Sequence, residues 1–239
     1  MVAIIFVAFL IRSTFGFGDA LFGMPLLVMV VSIRVAAPLM ALFALLMALL
    51  ILVKNRRFVN FRMSWKLVIS ALLGVPVGLL YLTEINENFI NLVLGIFIIV
   101  FALIRLTEYI PKAKAPPAVT YLTGFVSGIL GGAYNTNGPP VIMLLSAQNW
   151  PAEKFRSTLQ SYFFFTGLGV VGGHIAWGNV TREVLQLYLY GLPALFIAWW
   201  LGERWFSRLK TRKFYKWVYL LLILIGSGLI VKTALSFGV

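Results

Sequence analysis

The stretch Gly16-Phe17-Gly18-Asp19-Ala20-Leu21-Phe22-Gly23-Met24-Pro25-Leu26-Leu27 sets glycines, an acid and a proline inside a long apolar run. Its pattern returns 115 residues later in Gly131-Gly132-Ala133-Tyr134-Asn135-Thr136-Asn137-Gly138-Pro139-Pro140-Val141-Ile142, where Gly16 falls on Gly131, Gly23 on Gly138 and Pro25 on Pro140. Glycine loosens the backbone and proline lacks an N–H, so each run is expected to split into two helical arms around a break. Further on, Gly74-Val75-Pro76 matches Gly191-Leu192-Pro193 with a small offset. Two matches in the same order point to a duplicated unit of four hydrophobic elements.

Around these breaks the chain is 61% hydrophobic and only 11% charged, with a mean hydropathy of +0.97. An ordinary soluble domain carries roughly 25% charged residues, and a soluble core of 239 residues could not hide this much apolar surface. Apolar runs lie at about 1–33, 35–53, 66–82, 89–106, 118–148, 155–176, 184–201 and 215–236. The expected fold is therefore an all-α integral membrane protein forming a single transmembrane domain. Repeat 1 spans about 1–108 and repeat 2 about 118–239, joined by a Pro- and Lys-rich linker at about 109–117. The apolar opening, Met1 to Leu10, lacks a basic leader and reads as mature protein.

Twenty Lys and Arg against seven acids would suggest nucleic acid in a soluble protein. Here the bases cluster between apolar runs, as they do in cytoplasmic loops, so no nucleic-acid partner is expected. Lys54 to Lys66 holds five bases and Arg204 to Lys216 six, and neither stretch has an acid. If all eight runs crossed once, these loops would lie on opposite sides. The conflict disappears if the first and fifth runs enter and leave on one side as re-entrant hairpins. Each half then holds one broken hairpin plus three spans, and the second half is inverted relative to the first, a plan of many secondary transporters. The acidic loop Thr83 to Asn88 and the loop Trp177 to Glu183 then fall outside.

Non-helical backbone at membrane depth is tolerated only where protein or a water-filled cavity covers it. At the second break, Asn137 or Gly138 is placed to precede a half-helix starting at Pro139, since proline at a first helical position loses no bond. Asn135, Thr136 and Asn137 add donors beside free amides, a suitable place for a sulfonate, sulfite or carboxylate. They also suit plain helix capping, and Gly131, Gly132 and Gly138 suit close packing as well as ligand contact. At the first break, Gly16, Gly18 and Gly23 repeat the plan. Asp19 has three readings there: an N-cap, a partner for Arg12, or a protonatable coupling site. His174, the single histidine, is read either as a proton relay or as an ordinary hydrogen-bonded side chain. Gln160, Ser161 and Tyr162 are candidates to face the pocket.

The duplicated Gly-rich break followed by Pro and an aliphatic run, Gly16 to Leu27 and Gly131 to Leu145, resembles the sulfite exporter TauE/SafE family of bacterial and plant membrane proteins. The resemblance implies export of sulfite or a small organosulfur anion such as sulfoacetate, coupled to an ion gradient. Members commonly carry consecutive glycines at both breaks, whereas Asp19-Ala20-Leu21 and Ala133-Tyr134-Asn135 interrupt the run here, which points to a different cargo size.

A secondary transporter in the plasma membrane, crossing it several times and alternating access around a midplane site, is thus the expected function. No Walker-type phosphate loop is present. An anion channel would share every motif. A membrane-embedded enzyme is the reading from another class, and one histidine with scattered acids supplies no hydrolytic metal site. With no cysteine and no ligand cluster, neither cofactor nor metal is expected. The expected partners are a small anion, the lipid bilayer and a coupling proton or sodium ion.

Overall fold

The computed structural model describes residues 1–77, 87–107, 116–134 and 137–237. Asn135 and Thr136 lie outside the described residues, as do most of the linker and of the acidic loop at 83–88. Every regular element among the described residues is helical. The first apolar run becomes α1 (Val2–Phe15) and α2 (Asp19–Val28), and the fifth becomes α6 (Pro117–Tyr134) and α7 (Gly138–Ala147). The remaining runs form α3 (Ile33–Asn55), α4 (Phe61–Val77), α5 (Glu87–Leu106), α8 (Ala152–Ala176), α9 (Arg182–Phe206) and α10 (Thr211–Phe237), with a short 3-10 turn at Arg56–Phe58.

Among the described residues three segments, Arg34–Phe58, Arg182–Phe206 and Thr211–Val231, are long and apolar enough to cross a membrane. Large apolar side chains such as Leu73, Phe97, Leu122, Leu189 and Leu224 are exposed. In water so much exposed apolar surface would drive association, whereas acyl chains accept it.

The chain forms two compact units, each drawing on both halves of the sequence. One comprises Met1–Phe61 and Arg156–Leu209, the other Arg62–Phe155 and Lys210–Val239. In the first unit α1 and α3 pack on α9 around buried Ile5, Phe9, Leu39, Phe43, Met47, Leu195 and Ala198. Phe43 stacks at a tilt against Phe9 at 5.8 Å and Tyr188 at 4.7 Å, and Gly191 leaves the space its ring fills. Helix α9 begins at Thr181, whose hydroxyl accepts from the Val184 N–H at 3.3 Å, an N-cap expected to contribute about 1 kcal/mol.

In the second unit α4 and α6 meet backbone to backbone. A Cβ added at Gly128 would overlap the Ala71 carbonyl, and one at Gly74 the Phe125 carbonyl. Helices α5 and α10 approach in the same way, where a Cβ at Gly95 would lie 2.8 Å from the Gly226 carbonyl. Small residues allow this approach, and between apolar helices in lipid such packing replaces the missing hydrophobic drive. The Gly-Pro pairs at 74–76 and 191–193 therefore sit inside continuous helices and make room for neighbours rather than breaking the chain.

Gly128→Val is expected to force α4 from α6 and to cost about 1–3 kcal/mol or more by overpacking. Gly169→Ala, at a position with nothing within 4 Å of an added Cβ, is expected to leave stability unchanged. Melting temperatures of the two variants in detergent check this, and equal values would count against the close α4–α6 packing.

Candidate functional site

The first break is built by glycine geometry. Gly16 ends α1 in the left-handed region at φ 91°, and its N–H returns to the Arg12 carbonyl at 2.7 Å. Gly18, at φ 103°, precedes α2, so the chain reverses between Phe15 and Asp19 in a way that L side chains resist. The half-helix begins at Asp19, with Gly18 rather than Asp19 in the capping position. The Asp19 carboxylate turns to Arg12 at 2.6 Å, and both groups are buried.

The neighbours of this pair come from α8. Arg12 also donates to the Gln160 side-chain oxygen at 3.3 Å, and the Gln160 amide donates to the Gly16 carbonyl at 2.6 Å. One turn earlier on α8, Arg156 runs along the break, with its Cγ 3.2 Å from where a Gly16 Cβ would stand. Arg156 is 1% exposed and donates to Glu203 on α9, which also accepts Lys54 of α3 at 3.0 Å. The guanidinium of Arg12 lies 5.1 Å from the Phe163 ring and that of Arg156 4.3 Å from Phe206, so aromatic faces share in holding the buried cations. Ser13 bonds the Trp199 carbonyl at 3.0 Å and faces Gly202, fixing α1 against α9.

The second break lies in the other unit. Asn137 precedes α7 without a side-chain cap bond, and Pro139 and Pro140 occupy the first turn, which starts at Gly138 rather than Pro139. Ser127 of α6 donates to the Asn137 carbonyl, and a Cβ at Gly131 would stand 3.0 Å from the Asn137 Cβ. Gly132 lies in α6. At the far end of α7, buried Arg105 donates to Asn149 at 2.5 Å and to the Ser146 carbonyl at 3.5 Å, placing a cation at a helix C-terminus.

Sequence expectations thus divide by place. Arg12, Gly16, Gly18, Asp19 and Gln160 come together. Gly23 instead packs against Met40 and Ala8. His174 stands 14 residues beyond Gln160 on α8, about 21 Å along the axis at 1.5 Å per residue. There it meets Asn179 at 3.4 Å and lines a cavity of about 240 Å³ with Arg34 and Pro38. Arg156 and Glu203 were missed as site residues. The available signal was Glu203 itself, an acid closing an apolar run.

An all-helical fold with long apolar helices and an apolar exterior is that of a membrane protein. The family model described as "Sulfite exporter TauE/SafE" matches residues 1–229, and the chain belongs to that family. Membership makes it a transporter rather than an enzyme, of a class that exports sulfite or a related anion. Comparison with curated proteins and with solved structures gives no match.

Removing one member of a buried pair leaves the other charge uncompensated. Arg12→Met is expected to cost about 3–5 kcal/mol, and Arg12→Met with Asp19→Asn to recover most of it. Denaturation of the two variants checks this, and equal losses would contradict the pairing.

Proposed function

We propose that the protein is a secondary exporter of a small anion, sulfite or a small organosulfur anion such as sulfoacetate, working in the plasma membrane by alternating access. Within the family the observation that carries this reading is the pair of interrupted helices, each resuming without a side-chain cap. The first N–H groups of α2 have no intrahelical partner, while at α7 Pro139 and Pro140 carry none and the Gly138 amide stands with the helix dipole; both ends favour an anion. Asn135, Thr136, Asn137 and Gly138 with Gly131 and Gly132 form the second of these binding elements. Gly16 and Gly18 shape the first, with Gly23 seating α2 against Met40 and Ala8, Arg12 and Asp19 gate it, and His174 assists proton movement near the outer end.

Six full spans and two re-entrant hairpins in inverted halves complete the reading. Packing within each unit supports it. Helix α1, from the first half, lies on α9 of the second through Ser13 and Gly202, while α6, from the second half, lies on α4 of the first through Gly128 and Ala71. Ser13 and Gly128 are equivalent under the 115-residue shift, so the same arm of each break is held by a helix of the opposite half.

Labelled sulfite, sulfoacetate and a matched carboxylate are to be followed in proteoliposomes with and without an imposed proton or sodium gradient. The expected result is gradient-driven accumulation of a sulfur anion that falls at least about tenfold in Asn137→Ala, the weight of one or two charge-assisted hydrogen bonds, with folded yield retained. Rapid equilibration without accumulation would indicate a channel, and movement of no anion by folded protein would remove the export reading. A cysteine at Asn179 is expected to label from outside and one at Asn55 from inside, and the reverse pattern would overturn the orientation.

A further inference from the structure

The first unit contains more charge than its fold requires. Arg12, Asp19, Arg156 and Glu203 are all buried, and Lys54 reaches Glu203 from a half-exposed position. Two buried ion pairs in an apolar protein are weak contributors to stability, since well-packed apolar residues of similar volume often do as well or better. Arg12 and Asp19 moreover stand inside an apolar run, where charge is costly and marks a functional pathway by default.

We propose that the Arg156 guanidinium is the charge partner of the transported anion. In this proposal the Glu203 carboxylate is its resident substitute, released toward Lys54 when the anion arrives. The inference rests on the export reading and deepens it.

Four observations converge. First, Arg156 lies against the break itself, its stem beside Gly16, while Gln160 on the same face bonds the Gly16 carbonyl. An anion held by Arg156 is therefore also beside the opened backbone. Second, Glu203 divides its two oxygens between two cations, one to Arg156 and the other to Lys54. It keeps a partner when Arg156 turns away, so exchange strands no buried charge. Lys54 can follow it, because its half-exposed ammonium moves on a flexible stem over the Trp199 ring at 5.7 Å.

Third, among the described residues the group holds three cations, Arg12, Arg156 and Lys54, and two carboxylates, Asp19 and Glu203, and this positive balance favours an anion. Fourth, the planar fork of arginine takes two oxygens of an oxyanion in parallel bonds. A carboxylate presents two oxygens in that way, and so does the face of a sulfite or sulfonate. Arg12 adds a second donor, because its Nε is buried with no hydrogen-bond partner.

The test measures melting temperature of the full chain in detergent against sulfite concentration, together with sulfite efflux from proteoliposomes. Glu203→Gln removes the competing carboxylate. It is expected to lower the sulfite concentration that half-saturates the thermal shift by about tenfold, on the order of one charge-assisted bond, and to slow efflux. Arg156→Met leaves Glu203 with Lys54 and is expected to fold, to lose the sulfite-dependent shift and to lose efflux.

A purely structural ion pair would lower melting in both variants without moving the sulfite dependence. That result, or wild-type efflux and sulfite response in Arg156→Met, would overturn the assignment while leaving export intact. Absence of sulfite movement and of any thermal response in the wild-type protein would remove the export reading and this inference with it.

Discussion

A buried guanidinium must be neutralised where it stands, and in this protein that constraint organises the first unit. Arg156 is 1% exposed and binds Glu203, which binds Lys54. Arg12 binds Asp19 across a break of three residues. The first network ties α8 to α9 and α3, the second ties α1 to α2, and Gln160 joins Arg12 to the break. Because the loss of one partner costs more than the pair gives, the helices carrying these groups are held in register by electrostatics as well as by packing.

Backbone satisfaction is the second constraint. A helix interrupted among apolar neighbours exposes amides and carbonyls that must find partners. Gly16 returns its N–H to Arg12, Gln160 takes the Gly16 carbonyl, and Ser127 takes the Asn137 carbonyl. No side chain caps the first turn of α2 or α7, and at α7 Pro139 and Pro140 have no N–H that needs a partner. Close glycine packing at Gly74, Gly124 and Gly128 gives the second break a rigid support.

Both breaks were legible in the sequence because glycine and proline act locally, and Arg12 with Asp19 was legible as one of three options because only seven residues separate them. The pairing of Arg156 with Glu203 was not. These residues are 47 apart, and each stands near the end of its helix, where a charge is ordinarily solvated, so only the tertiary fold brings their side chains together. Gly74-Val75-Pro76 and Gly191-Leu192-Pro193 matched each other in sequence without revealing their role in packing. A glycine that admits a neighbour's ring or carbonyl looks in sequence like one that breaks a helix. His174 was likewise ambiguous, since no local pattern shows how far along α8 it stands from the break.

The most direct measurement is a structure of the protein with selenite, a heavier analogue of sulfite whose selenium locates itself by anomalous scattering. The account predicts an anomalous peak beside Arg156 in the first unit, with its oxygens about 2.7–3.2 Å from the guanidinium nitrogens and Glu203 turned to Lys54. Selenite bound elsewhere, with the Arg156–Glu203 pair unchanged, would contradict it.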